Sequence, residues 1–202
     1  LGATSAASVA WSPDGKSLVV ASDDGNLRIW DVSSGNLEQT IEAHLGAAND
    51  VVFAHDGRTL FSCGEDKLAK QWDLATSTLT HQFEAHLKPV DSLAISPDGR
   101  YLATASSDCT YAVWDAASAV QVYRCGDRGE RIVSVAFGPD GRVAAGGVRG
   151  MVVVYDPRTG EEMQLPRQLD GVNAITFFSG GKWLALADRS GTVKLVALDA
   201  SV

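Results

Sequence analysis

The stretch Ser12-Pro13-Asp14-Gly15-Lys16-Ser17-Leu18-Val19-Val20-Ala21-Ser22-Asp23-Asp24-Gly25-Asn26-Leu27-Arg28-Ile29-Trp30-Asp31 decides the fold. Its Pro-Asp-Gly supplies a tight turn. Leu18 to Ala21 follows as a nearly continuous apolar strand, and Asp23-Asp24-Gly25 breaks it with a hairpin signal. Leu27 to Trp30 then alternates Leu, Arg, Ile, Trp, which gives a strand with two unlike faces. Working outward, Ser8 to Ser12 carries Val9 and Trp11 on a short strand before the turn. After Trp30, a Ser-Ser-Gly turn leads to Leu37 to Glu42, the most polar strand and hence the expected edge. No segment holds a helical period over a useful length. The chain reads as all-β.

The same pattern returns along the whole sequence. Trp30-Asp31, Trp72-Asp73 and Trp114-Asp115 recur at intervals of 42, Tyr155-Asp156 follows after 41, and Val196-Ala197 after another 41. Pro13-Asp14-Gly15, His55-Asp56-Gly57, Pro97-Asp98-Gly99 and Pro139-Asp140-Gly141 keep the period of 42, and Ser179-Gly180-Gly181 is a worn fifth copy. Five repeats are expected, over about 1–43, 44–85, 86–126, 127–167 and 168–202, with no linker between them. Each reads as four short strands, except that the fifth stops after its third at Leu198, and residues 1–7 make a poor strand to complete it. The chain also lacks an initial methionine. The expectation is a piece of a larger protein, with unpaired blade edges inviting association.

Composition sets the outer bounds. The 202 residues are 45% hydrophobic and 21% charged, with mean hydropathy near zero, as in a globular domain. No apolar run approaches the roughly 18 residues of a membrane-spanning helix; Met151 to Tyr155 and Trp183 to Ala187 are strand-sized. Seventeen Lys and Arg against 25 Asp and Glu give a net charge of −8, which argues against direct nucleic-acid binding, since that affinity comes from phosphate neutralisation. Cys63, Cys109 and Cys125 form no CxxC pair and leave an odd one over, which suits a reducing compartment, cytoplasmic or nuclear. There is no signal-peptide pattern at the first residues.

The Trp-Asp dipeptides, the Ser-Pro-Asp-Gly turns, the Asp six residues before each Trp (Asp24, Asp66, Asp108), and Ala43-His44 and Glu84-Ala85-His86 resemble the WD40 family over essentially the whole chain. The resemblance implies a β-propeller of four-stranded blades, usually seven, of which five are visible here. It also implies a hydrogen-bonded tetrad in each blade: a His before the first strand, a Ser or Thr on the second, the turn Asp and the Trp. The third repeat carries His86, Ser106, Asp108 and Trp114. The second has His44, Asp66 and Trp72, with Gly64 at the place expected for Ser. The first has Ser22, Asp24 and Trp30, with Gly2 at the His place.

Catalytic readings of these residues fail on context. Ser106, His86 and Asp108 could be taken as a hydrolase triad, but they are spaced by the repeat and lack a nucleophile elbow. The four histidines and three cysteines show no metal-ligand spacing. Gly15-Lys16-Ser17 lacks the upstream Gly and following helix of a P-loop. No cofactor is expected. Tyr155-Asp156-Pro157-Arg158 is a poor match to the WDxR signature of ubiquitin-ligase receptors, with Arg149 where an acidic residue belongs.

Repeats four and five lose the tetrad. Arg128 takes the His place and Arg149 the Asp place in repeat four, and Ser190 takes the Asp place in repeat five. Arg128, Arg131, Arg149, Arg167 and Arg189 all fall in loops that an antiparallel meander puts on one rim. Two readings follow: arginines paired to Asp127, Glu130, Asp170 or Asp188, or a docking rim for an acidic or phosphorylated partner. The opposite rim repeats Lys16, Arg58, Arg100, Arg142 and Lys182 beside turn aspartates, so no basic ring forms there. The function expected from the resemblance is a non-enzymatic scaffold binding other proteins in a multi-subunit complex. The alternatives are a ribonucleoprotein subunit touching RNA and a ubiquitin-ligase substrate receptor.

Overall fold

The computed structural model describes residues 5–167 and 170–198, and every regular element among them is a β-strand. Gly2, the first four residues as a strand, and any strand beyond Leu198 lie outside the described residues. The chain divides into two compact units, up to Leu93 and from Ala94.

In the first unit, β1 (Ala6–Trp11), β2 (Ser17–Ser22), β3 (Asn26–Asp31) and β4 (Leu37–Glu42) form an antiparallel meander in chain order, with β4 at one edge. A second meander follows: β5 (Ala48–Phe53), β6 (Thr59–Gly64), β7 (Ala69–Asp73) and β8 (Thr78–Phe83). Val19, Ala21, Leu27 and Ile29 of one sheet pack on Val51, Phe53, Leu60 and Trp72 of the other. Val9 and Trp11 take no part in that core. They are 56% and 58% exposed on the other face of β1.

β9 (Val90–Ile95) spans the boundary and opens a third sheet with β10 (Tyr101–Ser106), β11 (Tyr111–Asp115) and β12 (Gln121–Arg124). The second unit continues with β13 (Ile132–Phe137), β14 (Val143–Gly147), β15 (Val152–Tyr155) and β16 (Glu162–Leu165). The last sheet, β17 (Ala174–Phe178), β18 (Trp183–Ala187) and β19 (Val193–Ala197), has three strands among the described residues. Side chains of β14 and β15 alternate between two cores. Ala145 and Val153 join Tyr111 and Val113, whereas Ala144, Val152 and Val154 join Ile175, Leu184 and Leu186. A strand covered on both faces needs no polar alternation, which is why Val152 to Tyr155 is uniformly apolar.

The turns are made as their residues dictate. Gly15 N–H donates to Ser12 O at 2.9 Å with φ of +71°, and Asp14 collects the Ser12 hydroxyl at 2.7 Å and Lys16 N–H at 3.1 Å. The β2–β3 turn ends on Gly25 at φ +82°, where a Cβ would meet His44 O at 2.3 Å and Gly46 O at 2.6 Å. In the equivalent turns, Gly150 and Gly191 are also left-handed, but Lys67 and Cys109 hold φ of +71° without being glycine. That conformation is strained for both.

Candidate functional site

Within each compact unit, the turns of the β2–β3-type hairpins are bonded to the loops between sheets: His44 N–H donates to Gly25 O at 2.9 Å, and Val172 N–H to Gly147 O at 2.9 Å. This gives each unit a turn-side rim, and the family tetrad is rooted there. In the second repeat, Trp72 Nε1–H donates to Ser62 Oγ at 2.9 Å. Ser62 Oγ lies 2.8 Å from His44 Nε2, and His44 Nδ1 lies 2.8 Å from Asp66 Oδ1. A carboxylate only accepts, so Nδ1 carries the proton toward Asp66, Nε2 accepts from the Ser62 hydroxyl, and Ser62 accepts from the indole. Every polar atom of the relay is thereby partnered, as burial demands. The spacing matches a hydrolase relay, yet Ser62 has no exposed surface and its oxygen already receives an indole proton. It has no route to a substrate.

The hydroxyl lies two residues earlier than expected. Ser62 does the work assigned to the position of Gly64, and in the third repeat Trp114 Nε1–H donates to Thr104 at 3.0 Å, not to Ser106. Register explains the correction: Trp72 pairs with Leu60 and Trp114 with Leu102, so residues 62 and 104 are their diagonal neighbours on the same face. Positions 64 and 106 share the face but lie one further pair away. Ser106 Oγ instead accepts Asp108 N–H at 3.0 Å in the turn. His86, in the first compact unit, is buried. In the first repeat Val20 occupies the place of Ser62, so Trp30 has no hydroxyl there, and Ser22 Oγ accepts from Arg28 at 3.1 Å.

Each turn aspartate holds a cation that the sequence reading missed. Arg28 grips Asp24 at 2.5 Å, Lys70 Nζ reaches Asp66 Oδ2 at 2.8 Å and Ala43 O at 2.6 Å, and Arg124 meets Asp108 at 3.2 Å. The signal was present for two of them, as a basic residue four positions after the Asp. The Arg28 bond holds Asp24 well below the usual carboxylate range. Burial works against ionisation of Asp66, but bonds from His44 and Lys70 outweigh it and also hold that carboxyl low.

In the second unit the rim is rebuilt around two glutamates. Arg128 lays both Glu162 oxygens against Nη2 at 2.5 and 2.6 Å, while the hydroxyls of Tyr111 and Tyr123 donate to the same carboxylate, the latter at 2.8 Å. Tyr123 stacks on Tyr155 at 4.0 Å between centroids. Burial would raise the Glu162 carboxyl; the two tyrosines and Arg128 bring it below its ordinary value. Glu130, buried, accepts Arg149 N–H at 2.5 Å and Arg167 Nη2 at 3.2 Å. Arg167 pairs with Glu130, one of the carboxylates expected, whereas Arg128 uses Glu162, which was not among them. Among the described residues, Asp127, Asp170 and Asp188 form no ion pair with these two arginines. The Arg149 guanidinium is exposed at 3.5 Å from Gly129 O, and Arg189 Nε donates to Asn173 at 3.3 Å, so neither has a carboxylate partner among the described residues. Arg131 is exposed. On the opposite rim Arg58 is held by Asp73 at 2.5 Å, Arg142 by Asp140 at 2.6 Å, and Arg100 lies over Tyr101 at 5.0 Å.

Repeated antiparallel sheets of this register, with Trp-centred relays tying loop to strand, define a WD40-type β-propeller. The family model described as IFT122 first beta-propeller matches residues 5–200, and the chain belongs to that family. A search of curated proteins found no match. The family is a non-enzymatic scaffold fold that engages other proteins. No helix among the described residues is long and apolar enough to cross a membrane.

Proposed function

We propose that this chain is a scaffold subunit of an intracellular, cilium-related multi-protein complex, docking partners through its turn-side rim. The observation that carries the reading is the division of labour on that rim. The His, Asp, Ser and Trp chemistry that could otherwise serve catalysis is spent on buried internal bonds, and what remains exposed is apolar and charged loop surface. Such surface recognises proteins by shape and charge and performs no bond chemistry. In the second unit, Arg131, Arg149 and Arg189 are exposed and would meet an acidic or phosphorylated segment.

Affinity purification of the protein from cells, followed by identification of bound macromolecules, tests this. Defined protein partners in constant ratio, retained after nuclease treatment, are the expected result. A chain that purifies alone, or with RNA whose binding collapses steeply with salt, contradicts it.

A further inference from the structure

We infer that the rim of the first compact unit docks a basic segment of a partner protein bearing apolar anchors, presented to it by a duplicated Glu-Ala-His-Leu loop. The inference rests on the scaffold reading and specifies the chemistry of one partner. Glu42-Ala43-His44-Leu45 recurs as Glu84-Ala85-His86-Leu87, one repeat later. In both copies the histidine is the root, 9% and 7% exposed, and the two outer residues face water. Leu45 is 86% exposed and Leu87 73%, the two most exposed large hydrophobic residues described. The relay explains His44. It explains neither the leucines nor the glutamates.

The surrounding charge selects the partner. Glu42 and Glu84 are exposed and form no ion pair among the described residues. Asp23 and Glu65, in the neighbouring turns, accept only backbone N–H groups, from Ser5 at 3.0 Å and Ala47 at 3.3 Å. Lys67 and Lys88 are the lysines exposed on these turns, so carboxylates are in excess. Beside Leu45 an open recess of about 450 Å³ is bounded by Asp24, Glu42 and Lys70. Arg28 neutralises Asp24 and Asp66 neutralises Lys70, so the uncompensated charge at the recess is that of Glu42. An Arg or Lys entering there is favoured, a phosphate is repelled, and an apolar side chain beside it covers Leu45. The second copy repeats the exposed carboxylate and the exposed leucine as Glu84 and Leu87, so a segment with two basic–apolar pairs gains from both.

The test is fluorescence anisotropy on the full chain with three labelled synthetic peptides: an amphipathic Leu/Arg peptide, a version with Glu for each Arg, and a version with Ser for each Leu. Only the first is expected to bind, and more weakly as salt rises. The double variants Leu45→Ser with Leu87→Ser, and Glu42→Gln with Glu84→Gln, should each lose about tenfold in affinity. Because all four side chains are exposed, melting temperature should not move. Equal binding of the Glu peptide, or wild-type affinity in both double variants, overturns the inference. So does sedimentation showing a dimer of the chain that Leu45→Ser with Leu87→Ser abolishes, since the surface would then belong to a second copy. If the protein purified from cells keeps its partners when all four residues are changed, this surface is wrong and the scaffold reading stands. If the wild type brings down no protein, the scaffold reading is what fails.

Discussion

The second and fourth repeats meet the same structural demand with different chemistry. Where the loop enters a sheet, repeat two uses a relay of hydrogen bonds, from Trp72 through Ser62 and His44 to Asp66. Repeat four uses ions: Arg128 against Glu162, with two tyrosine hydroxyls on the same carboxylate, and Glu130 accepting from Arg149 and Arg167. The relay lies within repeat two, from His44 to Trp72, whereas the carboxylate of repeat four also collects Tyr111 and Tyr123 from repeat three. The ionic version reaches 34 residues along the chain, from Arg128 to Glu162. Loss of the family residues therefore does not mean loss of a polar anchor. It changes which part of the chain supplies it.

Breaking the relay should have the largest effect. Trp72→Ala and Trp114→Ala each remove a buried indole, 6% and 2% exposed, and strand its hydroxyl partner, for a loss of about 3–5 kcal/mol. Trp30→Ala, which removes a half-buried indole with no hydroxyl to serve, should cost less than half as much. Thermal or urea melts that rank Trp30 equal to the other two would contradict the relay's share of that stability.

The ionic anchor should respond to acid. Glu162 has a carboxyl lowered from 4.5 and Asp66 one lowered from 3.8, so both contribute stability that is present above those ordinary values and lost as pH falls below them. Glu162→Gln should cost about 2 kcal/mol near neutrality by leaving Arg128 without its counter-charge. Its further loss of stability on acidification from pH 5 should be smaller than that of the wild type, because one titrating contribution is gone. Parallel acid-melt curves for the two proteins would refute the assignment.

How much of this was legible follows from how far each partner lies. The period, the sheets and the turns are written in short-range signals, Pro-Asp-Gly and Asp-Asp-Gly above all. Residues 62 and 64 share a strand face, so alternation alone could not say which one meets Trp72; the pairing of Trp72 with Leu60 does. Glu162 carried no signal at all, since its spacing from Arg128 follows no repeat. The exposed Leu45 and Leu87 were readable as residues but not as surface, because a Leu beside a buried His suggests core.

The smallest expected effect concerns the turns. Lys67 and Cys109 adopt the left-handed conformation that Gly25 and Gly150 adopt without a Cβ. Lys67→Gly and Cys109→Gly should each stabilise by about 0.5–1 kcal/mol, the relief of strain exceeding the added chain entropy of glycine. A lower melting temperature in both would mean those side chains contribute contacts that outweigh the strain.

The most direct test of the central claim, that partners dock on the turn-side rim while the buried relay only holds it, is lysine cross-linking of the protein in its purified complex. Lys67 and Lys88 lie exposed on the turn-side rim, and Lys16 and Lys182 lie exposed in the turns of the opposite one. The account predicts partner cross-links concentrated at Lys67 and Lys88 and sparse at Lys16 and Lys182. Cross-links spread evenly over the four, or gathered at Lys16 and Lys182, would contradict it.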